Sequence, residues 1–550
     1  MDVKAIARLK RFKDIVLTLF RYGLDDVVDR LDFPGKRILA RIHPGVEEMT
    51  TWERIRRTLE DLGPTFVKFG QILSLRPDLI PRPLVLELRK LQDEVPPVPI
   101  ELIKPVVERE LERPLEDVFS HFDSRPMAAA SLAQVHRAML KEGRQVVAVK
   151  VQRPGIRDVV EKDLMILETI AGQLHRRMEA TRLYDLPAIV SEIKKSLFQE
   201  LDFSREARHM KIARLNLSDM AEIRIPKVYE AYSTEQVLTM ELIQGTRLKE
   251  AELKDSQDRH RLATLIVRFT LIQILVHGFF HADPHPGNIL LLDAGKVCFL
   301  DWGMVGRLPR EARYALTELI QAVVEKDAEK VSWLLSQFVI MEGRPDSRAL
   351  QRDILDIIDS FHGMPLAQIN IGQLLMDVTS VLQHHRIRPP ADMALMAKAL
   401  MTAEGTARDL YPELDVVSEA EPLVKQVILE RWQPHAVWDS LKRSFWRFML
   451  LQKNMPTRLE HIVETIDKGD LSIRFRHENL EGLRKTLEGI TNRLTFGIII
   501  AALIIGSSMI ITTGVKPFLF GFPALGVIGY LVSALLGLWL IFNIIRRRKL

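Results

Sequence analysis

Residues 281–292 read HADPHPGNILLL, and the tripeptide DWG follows at residues 301–303. This stretch separates three polar side chains, those of Asp283, Asn288 and Asp301, by fixed intervals with apolar runs between them. Each fragment alone is weak, because an HxD sequence is often only a turn and DWG occurs by chance. This stretch alone does not identify the ligand that two carboxylates and an amide in this order would bind. The rest of the chain is needed for that.

The length and composition of the chain indicate a globular protein with one strongly apolar end. Its 550 residues suffice for two or three domains, at about 150 residues each. Hydrophobic residues make up 47% and charged residues 27%, which excludes a long disordered tail. The net charge is +5, but there is neither a compact basic and aromatic patch nor a nucleic-acid motif. A membrane surface is therefore the expected partner, and nucleic acid is not.

Cysteine usage and the first residues both indicate the cytoplasm. The single cysteine, Cys298, lies in the apolar run KVCFLD, so disulfides within the chain and a cysteine metal cluster are excluded. We expect a small core residue there rather than a reactive thiol. Residues 1–20 contain Asp2 and Asp14 and no uninterrupted apolar run, so neither a signal peptide nor an organelle presequence is expected.

Two uncharged apolar runs at residues 494–514 and 517–545 predict a transmembrane helical hairpin, because about 20 helical residues cross a bilayer core. Only a short connection separates them, so both outer ends lie on the same side. Basic residues flank these ends, including RRRK at 546–549, and place them in the cytoplasm. Small residues at Gly529, Ser533 and Gly537 would let the helices approach closely. A hairpin buried in a soluble protein is the alternative.

Residues 1–99 predict a helical N-terminal extension. The basic amphipathic stretch at residues 5–31 fits either an anionic membrane or a solvated helix face. A further helix is predicted to begin at residues 63–64, with Lys68 and Gln71 on one face, and this face also fits simple solvation. The proline-rich DEVPPVP at residues 93–99 indicates a linker.

Beyond the linker the pattern changes to strands and then to helices. VVAVKVQ at residues 146–152 predicts a buried strand with Lys150 near its end, which fits either a functional lysine or one that extends to the surface. Residues 225–245 predict two strands joined by a polar turn and followed by a hinge. From about residue 250 to residue 490 the pattern is largely helical.

These pieces meet the requirements of phosphoryl transfer, which needs a cation at the phosphates, oxygen ligands for magnesium, and a carboxylate beside the acceptor. Lys150 would contact the phosphates. Asn288 and Asp301 would bind Mg²⁺, and Asp283 would orient or deprotonate the acceptor. The order and spacing of the fragments make the combined signal strong.

VAVK at 147–150, HADPHPGN and DWG resemble the strand lysine, the catalytic loop and the magnesium-binding motif of kinases. Small-molecule kinases of the aminoglycoside and choline type share this pattern with the UbiB/ABC1 atypical kinase family. Upstream motifs favour the second. KFGQ at 68–71 resembles its Lys-x-Gly-Gln motif, PMAAASLAQVH at 126–136 resembles its alanine-rich loop, and ELD at 200–202, followed by Glu206, resembles its Glu-x-Asp element.

The resemblance covers essentially the whole chain and implies an α+β fold: an atypical protein-kinase-like two-lobed fold with a helical N-terminal extension and a C-terminal transmembrane helical hairpin. The expected divisions are the extension at 1–99, the N-lobe with a helical insertion at 100–245, the helical C-lobe at 246–490, and the two transmembrane helices at 491–550.

The resemblance also implies roles for individual residues, with ATP or ADP and Mg²⁺ as the ligands. The expected roles are catalytic for Asp283, Lys150 and Glu206; ATP-binding for Ala128, Ala129, Ala130, Ser131, Lys150 and Glu241; metal-binding for Asn288 and Asp301; and regulatory for Lys68, Gln71, Glu200 and Asp202.

The alanine-rich loop gives two different predictions. By pattern alone, residues 125–140 would form a helix, whereas the resemblance implies a strand, a turn and a strand over the nucleotide. Alanine restricts the close approach to phosphates that glycine allows. We therefore expect either a preference that shifts toward ADP or ATP binding that is less productive for transfer.

The long separation between Lys150 and Glu206 predicts an inserted helical element that includes residues 155–178. In the family such an insertion packs with the extension, which would bring Lys68 near Glu200 and Asp202 and close the cleft for a peptide substrate. No long activation segment and no Ala-Pro-Glu follow DWG, so protein kinase activity is not expected. His209 stands where many relatives have asparagine, a departure expected to be minor.

The resemblance implies a membrane-anchored atypical kinase or ATPase that supports isoprenoid quinone (ubiquinone-like) biosynthesis. Expected partners are nucleotide, membrane lipids, quinone precursors and quinone-biosynthesis enzymes. The expected location is the bacterial cytoplasmic (inner) membrane, with the kinase-like domain facing the cytoplasm. Two alternatives stay open: a lipid or small-molecule phosphotransferase that acts through Asp283, and a nucleotide-binding scaffold of a membrane complex.

Overall fold

The computed structural model describes residues 3–24, 49–74, 80–91, 95–177, 185–251, 253, 255–325, 327–337, 340–341, 347–360, 371–385, 387–388, 391–431, 433–434, 438, 441–442, 445–446, 449 and 480–546. The chain divides into two compact units, Met1–Ser440 and Leu441–Leu550. Parts of the sequence predictions lie outside the described residues, namely those for 25–31, 93–94, 178 and 547–549.

The first unit contains helices and short strands in mixed order. Its helices are α1 (Val3–Arg21), α2 (Thr51–Leu62), α3 (Pro64–Ser74), α4 (Arg82–Leu88), α5 (Ile100–Leu111), α6 (Leu115–Val118), α7 (Ile156–Arg177), α8 (Leu186–Glu200), α9 (Phe203–Asn216), α10 (Ser256–Leu271), α11 (Arg310–Val324), α12 (Ala328–Gln337), α13 (Ser347–Ser360), α14 (Ile371–His384), α15 (Ala391–Leu410) and α16 (Val416–Arg431). Its strands are β1 (Phe119–Phe122), β2 (Ala128–Ala129), β3 (Ala133–Leu140), β4 (Val146–Gln152), β5 (Ile223–Arg224), β6 (Val237–Glu241), β7 (Thr246–Arg247), β8 (Phe279–His281), β9 (Ile289–Leu291), β10 (Val297–Phe299), β11 (Val305–Arg307), β12 (Ile340–Met341) and β13 (Ile387–Arg388).

The smaller lobe is built on an antiparallel sheet of order β1-β3-β4-β6, with β2 paired to β3. Val147, Val149 and Val151 of β4 are buried in one cluster with residues of α5 and α6. Since successive side chains of a strand point to opposite faces, Lys150 lies on the other face of the sheet. Its strand neighbours are Val135 and Leu238, so the lysine predicted near the end of a buried strand is near the centre of the sheet.

Only one of the two strands predicted in residues 225–245 forms, and it is β6. Before it, Val228 makes a single bridge to Met240. The strand pairing ends after this bridge, where Glu230–Tyr232 form a short 3-10 helix. Side chains then bond to β6: the Thr239 N–H donates to Ser233 Oγ at 3.0 Å, and the Thr239 hydroxyl donates to a main-chain carbonyl at 2.6 Å. Serine and threonine compete in this way with regular backbone pairing, and Pro226 has no N–H to contribute.

The predicted extension and insertion pack together. Helices α3, α4, α7 and α8 share one buried cluster that includes Val67, Val85, Leu164 and Leu197. As predicted, α3 begins at Pro64 and an inserted helical element separates β4 from α9. Gly70, in the middle of KFGQ, lies against Leu88 and Leu91, and a Cβ there would lie 2.5 Å from Leu91 Cδ1. This glycine therefore permits close helix packing.

The larger lobe is mainly helical, as predicted, but three short β-structures interrupt it: a sheet of order β5-β10-β9-β7 and the ribbons β8–β11 and β12–β13. Phe269 of α10 stacks on Phe299 of β10 with ring centroids 3.6 Å apart. Helices α15 and α16 contribute to a second buried cluster with α10. Cys298 is fully buried, which confirms it as a core residue, and burial raises the pKa of its thiol to about 12.

The second unit contains α17 (Leu480–Thr513), a short ribbon of β14 (Phe518–Leu519) and β15 (Phe522–Pro523), and α18 (Ala524–Arg546). Leu494–Thr513 and Ala524–Ile541 are long and apolar enough to cross a membrane. Helix α18 begins at Ala524, later than the predicted uncharged run at 517–545, because residues 514–523 form the turn between the two helices. Gly529 packs on Ser507, as a close approach requires, whereas a Cβ at Gly537 would meet no atom within 4 Å, so that part of the interface prediction is wrong.

A charged pair joins α1 to the insertion and provides a test of the packing. Arg11 binds both carboxylate oxygens of Asp163, at 2.7 and 3.0 Å, and the Asp163 side chain is 1% exposed. Replacing Arg11 with methionine leaves a buried charge without its partner. We expect the free energy of opening of α1 and α7, measured by hydrogen exchange, to fall by about 3 kcal/mol.

The matched control for Arg11→Met is Arg21→Met. Arg21 forms a largely exposed pair with Asp61 at 3.3 Å, and such pairs contribute about 1 kcal/mol or less. If the two variants show equal protection of α1 and α7, the buried pair does not stabilise the docking of α1.

Candidate active site

The site lies where the sheet of the smaller lobe meets α9 and the loops of the larger lobe. Lys150 Nζ lies 2.8 Å from Glu206 Oε2 and 3.6 Å from Asp301 Oδ1. The expected ion pair between Lys150 and Glu206 is therefore present. The ring of Phe203, one turn before Glu206, lies 5.1 Å from the ammonium, a cation–π contact that the sequence analysis did not predict.

The charges at this point stabilise one another. Burial acts to lower the pKa of Lys150, but Asp301 and Glu206 outweigh it and raise that pKa above its ordinary value. Lys150 in turn lowers the pKa of Asp301 well below the usual range of a carboxyl. The lysine is therefore a cation and Asp301 an anion at neutral pH, which are the states that phosphate and magnesium require.

Asp301 is exposed between two buried aromatic residues. Phe299 and Trp302 have no exposed surface, and the indole N–H of Trp302 donates to the Phe299 carbonyl at 3.1 Å. The backbone of Asp301 has φ +51°, in the left-handed region that aspartate tolerates better than most residues. The carboxylate, 54% exposed, is thus available to a ligand while its neighbours anchor the loop.

Asn288 and Asp301 lie at the same end of a hairpin. Strands β9 and β10 pair with Ile289 opposite Phe299, and the Leu300 N–H donates to the Asn288 carbonyl at 2.8 Å. The Asn288 side-chain nitrogen donates to the Asp283 carbonyl at 3.3 Å, so the amide oxygen is the atom suited to a cation. The register therefore brings together the three polar residues of the opening stretch.

This donor set fits magnesium that is shared with phosphate. Asn288 and Asp301 provide an amide oxygen and a carboxylate, the hard ligands that Mg²⁺ prefers. Among the residues described, no three His, Cys, Asp or Glu side chains gather as a metal site. A magnesium ion at this place would therefore need further oxygen ligands from water or from a nucleotide.

Two buried histidines cross-link the loops. His281 Nδ1 accepts the Asp283 N–H at 3.0 Å, while its other ring nitrogen lies 2.9 Å from the Leu300 carbonyl, which assigns the neutral tautomer that carries its proton on Nε2. His209 Nδ1 lies 2.9 Å from the Trp302 carbonyl. His209 therefore connects α9, which carries Glu206, to the DWG segment, and the expectation that it is a minor departure stays a prediction.

The alanine-rich segment forms β2, a turn and β3, so the strand-turn-strand implied by the resemblance is correct and the helix suggested by pattern is not. The Ala130 N–H donates to the Ala133 carbonyl at 2.8 Å, and Arg153 donates to the Ala130 carbonyl at 2.8 Å. Ser131 is buried, so its ATP-binding role stays a prediction. Ala128 and Ala129 lie in β2 on the same hairpin.

Glu241 ends β6, and its carboxylate has partners in the protein. It accepts hydrogen bonds from Arg224 and, at 3.2 Å, from the Lys227 N–H. Its backbone N–H also donates to the Lys227 carbonyl at 2.8 Å, so an ATP-binding role of Glu241 stays a prediction.

The residues expected to be regulatory divide into two groups. Lys68 Nζ lies 2.6 Å from Glu200 Oε1, and the charge of Lys68 also lowers the pKa of Asp301, so this pair borders the site. Asp202 instead caps α9 by accepting the Ser204 N–H at 3.0 Å. Gln71 donates to the Leu91 carbonyl at 3.3 Å within the extension.

Asp283 has a partner that the sequence analysis missed. Lys398 of α15 places its Nζ 3.0 Å from Asp283 Oδ1. No motif marks this lysine in the sequence, because it lies in a helix more than a hundred residues beyond the loop. Only the packing of α15 against the larger lobe brings the two side chains together.

Comparison with known proteins agrees with this geometry. The ABC1 atypical kinase-like domain matches residues 90–335, the UbiB helical domain matches residues 354–415, and the ABC1/UbiB kinase-like C-terminal domain matches residues 478–546. An uncharacterized protein in the hydrogenase 1 5' region of Clostridium pasteurianum is 31% identical over 538 residues, which cover 98% of each chain. A probable protein kinase UbiB of Cellvibrio japonicus is 34% identical over 448 residues, which cover 80% of each chain.

Among solved structures, the complex of Rv3197 with erythromycin from Mycobacterium tuberculosis is 24% identical, with a TM-score of 0.48, and the match covers 64% of this chain and 90% of that one. The fold and the site define an atypical kinase-like protein with two lobes, a helical extension and two C-terminal apolar helices. The domain matches and the extensive similarity to relatives then identify it more closely: the chain belongs to the UbiB/ABC1 atypical kinase family.

The bond between His209 and Trp302 predicts a pH dependence of stability. Burial lowers the pKa of His209 below its ordinary value of 6.5. The unfolded chain therefore binds the proton first as pH falls, and stability is lost from about pH 6.5 downward, by up to about 1.4 kcal/mol per pH unit. In His209→Asn an amide can still donate to Trp302 but cannot titrate.

We expect the free energy of unfolding of His209→Asn, measured by chemical denaturation in detergent at pH 7 and pH 5, to depend less steeply on pH than that of the wild type. Equal pH dependence in the two proteins would mean that folding does not lower the pKa of His209.

Proposed function

We propose that the chain binds Mg-ATP between its lobes and hydrolyses it. In this proposal Lys150 contacts the phosphates, Glu206 orients Lys150, and Asp301 with Asn288 binds the magnesium ion. The observation that carries the proposal is the ion pair of Lys150 with Glu206 beside Asp301, because a site that had lost its chemistry would have no reason to retain three interdependent charges. Bound magnesium would neutralise charge on the phosphates.

The extension supports hydrolysis in preference to protein phosphorylation. Lys68 and Glu200 pair at 2.6 Å beside the site, and α3, α4, α7 and α8 share one core. We propose that these helices close the cleft to a peptide. The short connection from DWG to α11 provides no platform for one. Lys68, Gln71, Glu200 and Asp202 would then be regulatory by maintaining this closure.

The alanine-rich hairpin predicts the nucleotide preference. The Cβ of Ala129 would restrict the approach of this hairpin to the phosphates, and glycine removes that restriction. We expect Ala129→Gly to shift the ratio of ATP to ADP affinity toward ATP by about threefold or more, measured by equilibrium titration with magnesium. Ala130→Gly is the matched control with a smaller expected shift, because the Ala130 N–H already donates within the turn. Identical affinities in Ala129→Gly and the wild type would refute this role of the loop.

We further propose that α17 and α18 span the cytoplasmic (inner) membrane, with the kinase-like unit in the cytoplasm. Their apolar segments are only 6% and 11% buried, so most of their side chains would face lipid. This anchoring would place an ATP-driven protein at the bilayer, where isoprenoid quinone precursors keep their tails. Presentation of the precursor head group to soluble biosynthetic enzymes is a role that fits both the kinase-like unit and the two C-terminal apolar helices. Membrane lipids, quinone precursors and those enzymes are thus the proposed partners.

Asp301→Asn tests the function in cells. We expect ATP hydrolysis by the purified variant to fall by about 10²-fold, because the carboxylate that would hold magnesium at the reacting phosphate is lost. Cells whose only copy is Asp301→Asn should contain less isoprenoid quinone and more of its precursors, with an unchanged amount of the protein. Arg21→Met is the control variant, and it should retain wild-type ATP hydrolysis and quinone content. Normal quinone content in Asp301→Asn cells would favour a scaffold or another pathway.

Phosphate transfer to a lipid or small molecule is the second candidate. It is favoured by Asp283, which retains a carboxylate 31% exposed beside Asn288, the place where an acceptor hydroxyl would be deprotonated. Incubation with labelled ATP and membrane lipids distinguishes the two reactions. A labelled lipid indicates transfer, and free phosphate alone indicates hydrolysis.

A further inference from the structure

Lys398 and Asp283 form an ion pair that links two separate parts of the larger lobe. Lys398 belongs to α15, within the region that matches the UbiB helical domain, and Asp283 belongs to the loop within the ABC1 match. Nζ and Oδ1 are 3.0 Å apart, and the side chains are 16% and 31% exposed. The pair is therefore partly buried, and part of each side chain remains accessible to a ligand.

The position of Lys398 is determined by packing on both sides of it. Met396 and Ala399, its near neighbours on α15, are buried in the core. At the start of the helix, the Asp392 carboxylate accepts the N–H of Arg307 in β11 at 3.4 Å, and β11 pairs with β8, the strand that leads to Asp283. The same two strands that present Asp283 thus also position the helix that carries Lys398.

A phosphoryl group in transfer is stabilised by positive charge near its oxygens. Two of the lysines around the site have carboxylate partners away from Asp283: Lys150 contacts Glu206 and Asp301, and Lys68 contacts Glu200. The catalytic loop itself reads Pro-His-Pro-Gly between Asp283 and Asn288, without lysine or arginine. Among the described residues, the cation that pairs with Asp283 comes from α15.

We propose that Lys398 binds the terminal phosphoryl group of the nucleotide and is thereby a catalytic residue for its transfer to water or to another acceptor. The inference rests on the proposed function. Without nucleotide, Lys398 neutralises Asp283. When Mg-ATP binds, the flexible lysine stem lets the ammonium contact both the γ-phosphate and Asp283. A nucleoside diphosphate lacks the group that Lys398 would contact, so the lysine discriminates between ATP and ADP.

A purely stabilising role accounts less well for these observations. Partly exposed ion pairs contribute little to folding, and a pair that served only stability would have no requirement for Asp283 as its acidic member. Neutralising Asp283 is the nearest alternative, because an unpaired carboxylate there would repel ATP. The two roles differ in one respect: neutralisation requires Asp283 to be charged, and direct contact with phosphate does not.

The experiment is an equilibrium titration of the full chain in detergent with Mg-ATP and with Mg-ADP. For Lys398→Met we expect ATP affinity to fall about tenfold and ADP affinity to change by less than twofold. The decisive comparison is Asp283→Asn against Asp283→Asn with Lys398→Met. The selective loss of ATP affinity should persist in this background, where no carboxylate remains to be neutralised.

Two further variants make the result interpretable. Lys398→Arg retains the charge and should retain most of the preference for ATP. Lys425→Met removes a largely exposed ion pair with Glu421 on α16, at 2.5 Å, and should leave both affinities unchanged. If Lys398→Met weakens ATP and ADP equally, or if its effect vanishes with Asp283→Asn, the direct contact is refuted. A wild-type chain that binds neither nucleotide refutes the proposed function itself, whereas nucleotide binding that is insensitive to Lys398→Met refutes only the role of this lysine.

Discussion

The ion pair of Lys150 and Glu206 is the constraint on which the rest of the structure depends. Glu206 is 4% exposed and Lys150 18%, and each charge would be costly at that depth without the other. The pair connects the sheet of the smaller lobe to α9, and Asp301 of the larger lobe completes it at 3.6 Å. β4 and α9 must therefore be positioned together for the charges of Lys150 and Glu206 to be tolerated, and the more exposed Asp301 adds a second carboxylate beside Lys150.

Several elements of the fold serve this requirement. The alternation of β4 places its valines in the core and Lys150 on the opposite face. Asp202 caps α9 and so determines where the helix that carries Glu206 begins. The insertion between Lys150 and Glu206 packs with the extension, and its last residue, Glu200, pairs with Lys68. The extension is thus part of the electrostatic environment of the site.

The loops of the larger lobe are connected by neutral hydrogen bonds. His281 links the Asp283 loop to Leu300, just before Asp301, and His209 links Trp302, just after Asp301, to α9. Burial lowers the pKa of both histidines, so they bridge these loops without adding charge. The charged contacts are concentrated where a magnesium nucleotide would bind, and the contact of Lys398 with Asp283 adds a further pair beside them.

By itself, the sequence determined the local features of this protein. The β-branched run of β4, the proline at the start of α3, the two uncharged runs near the end of the chain and the order of the polar motifs all follow from residue type and spacing, because propensity and periodicity act over a few residues. Family resemblance extended this to the alanine-rich hairpin, for which helix propensity alone gave the wrong prediction.

Only the tertiary structure decided which distant side chains meet. His209 bonds to Trp302, and Lys398 pairs with Asp283, although neither contact leaves a local pattern in the sequence. The same holds for residues 225–245, where one strand forms instead of two because Glu230–Tyr232 turn into a 3-10 helix that side-chain hydrogen bonds join to β6. Such contacts depend on how whole helices and strands pack, and packing is a property of the complete chain.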